Sequence, residues 1–151
     1  AYALNVPVVN VPTLEAMAYN FYGTDKVICP IMDARRNQVY TGIYSFENNG
    51  LSIYLDSSAM DIMELIPKLQ EIDKPVIFTG DGIPVFRDII DKELKTPHKY
   101  GRAGFNRQRA SSVALLGAEL YKAGKTEKAE EHLPEYLRMS QAERERMEKN
   151  G

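Results

Sequence analysis

Cysteine and histidine are nearly missing from this chain, and their scarcity removes several kinds of chemistry. The one cysteine, Cys29, cannot close an internal disulfide, and within an apolar run it suits a reduced, buried position. The two histidines, His98 and His132, stand far apart in polar stretches that read as loops. A catalytic zinc takes about three protein ligands, two of them commonly His on one helical face, so no metal site is expected. No serine occupies a glycine-flanked strand-to-helix elbow, which removes the usual hydrolase nucleophile. No apolar run reaches the roughly 20 residues that cross a bilayer, and residues 1–4 lack the basic and apolar parts of a signal peptide. A cytoplasmic chain that meets no membrane is the expectation. Neither charge is in excess: 19 Lys and Arg oppose 21 Asp and Glu, a net charge of −2, so any attraction for a charged partner must be local.

What the chain does have is apolar patterning. At 151 residues and 44% hydrophobic it can bury a core of one domain. Residues 6–11 read as a β-branched strand with Pro7 near its start. Thr13 is expected to cap a helix whose Leu14, Met17, Ala18 and Phe21 share one face, with Gly23 as its end. Residues 27–32 and 38–46 read as strands joined by the polar turn Arg35-Arg36-Asn37, and 51–55 as a third after Asn48-Asn49-Gly50. In the second strand Tyr40, Tyr44 and Phe46 alternate with Val39, Thr41, Ile43 and Ser45, so both faces require cover.

Asp56-Ser57-Ser58 is expected to cap a helix carrying Met60, Met63, Ile66 and Leu69, which Pro67 should kink or divide. Residues 75–79 form a buried strand running through Gly80-Asp81-Gly82 into a helix opened by Pro84, with Phe86, Ile89, Ile90 and Leu94 inward. Residues 95–109 read as irregular. Ser111 or Ser112 should cap a helix with Val113, Leu116 and Leu120 on one side, closed by Gly124, and 125–132 should be charged and exposed. Residues 134–138 read as extended, and Ser140-Gln141-Ala142-Glu143 as a capping box opening a last helix.

Three antiparallel strands, then helix, strand and helix, is the order of a ribonuclease-H-like (actin-like) half-domain. The predicted class is therefore α/β: a mixed sheet with an antiparallel meander followed by βα units, and helices on both faces. Residues 1–4 look like the end of a helix, with Asn5 as its stop. Residues 1–22 are thus expected to be the remnant of a preceding half-domain, and 23–151 the C-terminal half-domain with its terminal helix.

Two stretches have functional composition. Thr79-Gly80-Asp81-Gly82 is a glycine turn between a buried strand and a helix start, where backbone amides can meet a phosphate. It lacks the third glycine of a dinucleotide site and the Lys of a P-loop, so a plain tight turn is the simpler reading. Residues 95–109 hold Lys95, Lys99, Arg102, Arg107 and Arg109 with no acid, and Tyr100 and Phe105 interleaved. Of these, Lys99, Arg102, Arg107 and Arg109 are candidates for RNA contact, where amines neutralise phosphates and rings stack on bases.

Val11-Pro12-Thr13-Leu14-Glu15-Ala16, then Asp33-Ala34-Arg35-Arg36-Asn37-Gln38-Val39-Tyr40, then Pro134-Glu135-Tyr136-Leu137-Arg138 followed by Ala142-Glu143, together resemble the TsaB (YeaZ) family over essentially the whole chain. The resemblance implies a degenerate member of the actin-like ATPase superfamily, also labelled glycoprotease or inactive metal-dependent peptidase homologue. It implies a subunit that does not catalyse and needs no cofactor, but holds the catalytic subunit TsaD in a working heterodimer. With the ATPase TsaE, these would make threonylcarbamoyladenosine beside the anticodon of tRNAs that read codons starting with A, so tRNA is met indirectly. Alone, such a subunit is expected to form homodimers.

The family's pairing surface for TsaD lies mostly on helices of the N-terminal half, which this sequence lacks, so the chain is expected to bind TsaD poorly by itself. Gly80-Asp81-Gly82 matches the place where active relatives meet adenosine, with Asp81 where a second glycine is usual. Within the family motifs, Asp33 and Arg36 are expected to lock the hairpin, with Arg35 beside them, while Tyr40 packs. Tyr136, Leu137 and Arg138 should fasten the C-terminal segment to the sheet. The alternatives are a glycoprotease-type metallopeptidase or nucleotide-binding enzyme of the ATPase fold, and a direct tRNA-binding module through residues 95–109.

Overall fold

The structure, a computed structural model, describes residues 1–47, 50–133 and 137. Among these, strands β1 (Val27–Asp33), β2 (Gln38–Glu47), β3 (Gly50–Asp61), β4 (Val76–Thr79) and β5 (His98–Tyr100) form one sheet in the order β3-β2-β1-β4-β5. β1 pairs antiparallel with β2, and β2 with β3, whereas β1, β4 and β5 run parallel. This is the mixed sheet that the sequence predicts, with the meander on one side and the βα crossovers on the other. The β1–β2 turn is tight because Arg35, Arg36 and Asn37 all take positive φ, at 63°, 55° and 61°. Asn tolerates that region best, and the two arginines are held there by the ladder, with Ala34 N–H donating to Gln38 O at 2.9 Å. Asn48 and Asn49, expected to make the next turn, lie outside the described residues.

Helices cover both faces. α2 (Ile62–Ile72) and α3 (Ile83–Glu93) bury Leu65, Leu69, Phe86 and Ile90 against Val27, Cys29, Ile31, Val39, Ile43 and Phe78. Residues 27, 29 and 31 share that face because strand side chains alternate. The opposite face takes α1 (Thr13–Ala18), whose Leu14 and Ala18 pack on Ile28 and Tyr44, and α4 (Ala110–Lys122), whose Leu116 meets Ala16 and Tyr19.

Several elements depart from the sequence reading. Residues 6–11 make no strand: Val8 alone bridges Glu127, with both backbone hydrogen bonds formed, and Pro7 removes the neighbouring donor. Residues 2–4 form a 3₁₀ turn, and Asn5 (φ 49°) follows it. Thr13 is the first helical residue of α1 instead of its cap, which is Pro12 without a side-chain bond. Residues 56–58 do not cap a helix, because the ladder to β2 runs on to Asp61 and places Met60 on the strand. Tertiary pairing overrides the serine signal there, and Asp61 caps α2 by accepting from Met63 N–H at 2.8 Å.

Pro67 does not divide α2, which continues to Ile72, while Met63 is exposed instead of inward. The carbonyl that loses the Pro67 donor is that of Met63, on the wet side of the helix. Residues 95–109 contain the edge strand β5 and a 3₁₀ turn at Ala103–Phe105, so His98 lies on a strand and not in a loop. Arg109 precedes α4 without a side-chain bond, displacing the expected serine caps, and Val113 is on the exposed side. Ser112 is buried instead and donates to Asn20 Oδ1 at 2.7 Å.

Candidate functional site

β1, β4 and β5 end side by side, so the loops that follow them converge at one edge of the sheet, where open α/β sheets commonly bind ligands. Thr79, Gly80, Asp81 and Gly82 form the central loop. Their geometry serves the fold closely. Gly82 N–H donates to Ile31 O at 3.0 Å, so this amide is turned to β1 and not to a ligand. Gly80 has φ +116°, and a Cβ there would stand 2.1 Å from the Ile31 carbonyl oxygen. Glycine is thus required by the close approach of two backbones. The buried Thr79 hydroxyl donates to Phe105 O at 2.7 Å, tying the loop after β5 over the turn. The cleft that remains beside Asp81, Asn106 and Arg107 measures about 20 Å³, room for about one water.

Asp33 and the β1–β2 turn form the next part of the same edge. Asp33 Oδ1 accepts from Arg35 N–H at 2.8 Å, so it locks the hairpin through the Arg35 backbone. Asp33 N–H points to Asp81 Oδ1 at 3.4 Å, joining the hairpin base to the glycine turn. Arg35 and Arg36 are exposed, and Tyr40 packs against the cluster of Leu14, Ile28 and Tyr44. Leu137 packs on that same cluster, while Tyr136 and Arg138 lie outside the described residues.

The basic segment completes the edge. Lys99 projects from β5, and Arg102, Arg107 and Arg109 follow it, all exposed. Asn20 Nδ2 donates to Phe105 O at 2.9 Å and to Arg107 O at 3.0 Å, which fixes the path of the loop. Phe105 is held between Phe21, 5.7 Å away ring to ring, and the Arg109 guanidinium at 4.9 Å. Its ring is therefore an occupied platform: a base could stack there only by displacing Arg109.

One constellation has no counterpart in the sequence reading. Asp91 on α3 accepts from the Tyr100 hydroxyl at 2.7 Å and meets His98 Nε2 at 3.0 Å, and Arg87 lies 4.4 Å above the Tyr100 ring. Bonds from His98 and Tyr100 hold the Asp91 carboxyl below its usual range, while burial and Asp91 push the Tyr100 hydroxyl up. The i,i+4 spacing of Arg87 and Asp91 is readable; their junction with β5 depends on the sheet. Its effect is to pin an edge strand onto α3. Cys29 is fully buried, and burial pushes its thiol up to about 12, which keeps it unreactive. Among the described residues no group of three or more His, Cys, Asp or Glu could hold a metal ion. No helix there is long and apolar enough to cross a membrane.

Residues 1–146 match the family TsaD: tRNA N6-adenosine threonylcarbamoyltransferase. The chain belongs to this family. Its TsaB (YeaZ) resemblance holds in sequence: it is 35% identical over 145 residues to the tRNA threonylcarbamoyladenosine biosynthesis protein TsaB of Bacillus subtilis (strain 168). That match covers 95% of this chain and 61% of the relative, so the chain spans less than two thirds of the relative's length. Two solved structures share the fold. A Pseudomonas aeruginosa protein described as similar to the peptidase YEAZ superposes with a TM-score of 0.72 at 20% identity, over 91% of this chain and 62% of that one. YeaZ from Pseudomonas aeruginosa gives 0.70 at 20% identity, over 90% and 62%. The α/β sheet described above is thus of the actin-like, ribonuclease-H-like kind.

Proposed function

We propose that this protein is a non-catalytic scaffold subunit of the machinery that makes N6-threonylcarbamoyladenosine in tRNA, and that it works in the cytoplasm. The observation that carries the proposal is the 35% identity to a biosynthesis protein of that name over almost the whole chain. The glycine turn supports the non-catalytic part. Where the fold offers a phosphate its backbone amides, Gly82 N–H is bonded to Ile31 O and the adjoining cleft is about 20 Å³. The partner in this reading is a TsaD-type catalytic subunit, with a TsaE-type ATPase and with tRNA reached through them. In isolation the protein forms a homodimer.

The domain assignment belongs to the same proposal. Residues 23–151 are the C-terminal actin-like half-domain, and 1–22 belong in sequence to the preceding half, although α1 packs on this sheet. Co-purification tests the proposal: the full-length protein should retain a TsaD-type subunit at stoichiometric yield, and tRNA modification should require both. Failure to bind that subunit, or ATP or peptide turnover by the purified protein alone, would remove it.

A further inference from the structure

Five arginines from two distant stretches of sequence meet at the carboxyl edge of the sheet. Arg35 and Arg36 stand on the turn after β1, and Arg102, Arg107 and Arg109 on the loop after β5. β4 alone separates the two strands, so their ends lie about 10 Å apart. The loops are joined further by contacts: Gln108 reaches Met32, and Arg107 lines the same small cleft as Met32 and Asp81. All five side chains are exposed, and among the described residues none is in an ion pair.

Three carboxylates at this edge face the backbone: Asp33 toward Arg35 N–H, Asp81 toward Asp33 N–H, and Asp61, which pairs with Gln38 beside the hairpin turn, toward Met63 N–H. They offset part of the charge of the five arginines and leave an excess of about two positive charges on a protein whose net charge is −2. A local positive excess of this kind creates a field that the whole molecule lacks. Arginine presents a planar fork that engages phosphate oxygens in pairs, which a lysine patch would not do.

We infer that this arginine edge binds the phosphodiester backbone of RNA directly. The ligand is an extended polyanion and not a nucleotide, because the charges lie along a surface of two loops and the cleft beneath them holds about 20 Å³. Phe105, 37% exposed under Arg109, gives a ring that a base can reach if Arg109 turns to a phosphate. The inference departs from the proposed function on one point, giving this chain its own contact with the nucleic acid that the proposal reaches through its partners. It rests on that reading only for the identity of the RNA.

Binding of unmodified tRNA to the full-length protein, followed across a salt series, tests it. If all five arginines meet phosphates, affinity should fall on the order of 10²- to 10³-fold from about 50 to about 200 mM salt. The variant R35Q/R36Q/R102Q/R107Q/R109Q should bind at least about tenfold more weakly at the low end, with a much flatter salt slope. The narrower R102Q/R107Q/R109Q variant, which leaves the hairpin turn intact, should fall between. K68Q/K92Q/K122Q/K125Q/K128Q, which removes the same charge elsewhere, should keep the wild-type slope.

Unchanged tRNA affinity in both arginine variants would overturn the inference. So would equal weakening in the lysine control, or full competition by poly-glutamate or inorganic triphosphate at matched charge, since each points to a different ligand. Loss of tRNA binding with the catalytic partner still retained would support this edge without touching the scaffold proposal. Unchanged tRNA binding in both arginine variants, with the catalytic partner also retained, would leave that proposal standing and remove this one.

Discussion

The two faces of the sheet are covered by different means. Under α2 and α3 the contact is a broad apolar layer, with Phe78, Phe86, Leu65, Leu69 and Ile90 at most 1% exposed and Thr41, beside Cys29 Sγ at 3.5 Å, as a buried polar group within it. Under α1 and α4 the apolar clusters are smaller, and side-chain hydrogen bonds join α4 to the 3₁₀ turn at Tyr19–Phe21 that follows α1: Tyr19 to Glu119, and Ser112 to Asn20. The first face derives its stability from area removed from water, which any side chain of similar volume partly preserves. The second depends on partnered polar groups, each costly to leave single and each specific in geometry.

Truncation on the apolar face should therefore produce the largest loss. Phe78→Ala should cost about 3–5 kcal/mol in denaturant unfolding. At the strand end that both faces share, Gly80→Ala should cost up to about 3 kcal/mol, since the left-handed backbone and the Ile31 carbonyl oxygen at 2.1 Å both oppose a Cβ. On the other face, Tyr19→Phe should cost about 1–3 kcal/mol by stranding the Glu119 carboxyl, and Ser112→Ala a similar or smaller amount. If these two cost as much together as Phe78→Ala while Leu116→Ala cost nothing, the polar bonds and not the clusters would hold that face. Asp61→Ala, which removes the cap of α2 at the apolar face, should cost about 1 kcal/mol.

Alkaline pH probes the apolar face through Cys29 and the other face through Tyr44, which burial pushes up as it does the neighbouring Tyr19. Burial pushes the Cys29 thiol, on the apolar face, and the Tyr44 hydroxyl, on the other, up to about 12 each. Their neutral forms are favoured in the fold, so stability is intact below the unfolded values of about 8.5 for Cys and about 10 for Tyr. It should then decline as pH rises toward 12. Thermal melts between these limits, with Cys29→Ala and Tyr44→Phe beside the wild type, should show each variant flattening its own part of the decline.

The contrast between the faces also explains what the sequence could reveal. Alternation in β2 places Val39 and Ile43 on one face and Tyr40, Tyr44 and Phe46 on the other, because strand geometry alone decides it. The helical stripe of α3 is legible for the same reason. Tyr19 and Glu119 are 100 residues apart, and no local rule joins them. The strand at 56–61 was masked by a serine cluster with good capping chemistry, which the ladder to β2 outweighs.

At the candidate site the residues were legible singly. Thr79 to Gly82 and Arg102 to Arg109 stand out by composition, but the hydrogen bond from Thr79 to Phe105 that superposes them appears only when β4 and β5 pair. The junction of Asp91 with His98 and Tyr100 was hidden likewise, since it requires α3 to lie across an edge strand.

The most direct test is reconstitution of threonylcarbamoyladenosine formation on unmodified tRNA, with a TsaD-type subunit and a TsaE-type ATPase, adding or omitting the full-length protein. Modified tRNA should form only when the protein is present, with no ATP hydrolysis by the protein alone. Undiminished modification in its absence, or nucleotide turnover by the protein on its own, would contradict the scaffold proposal.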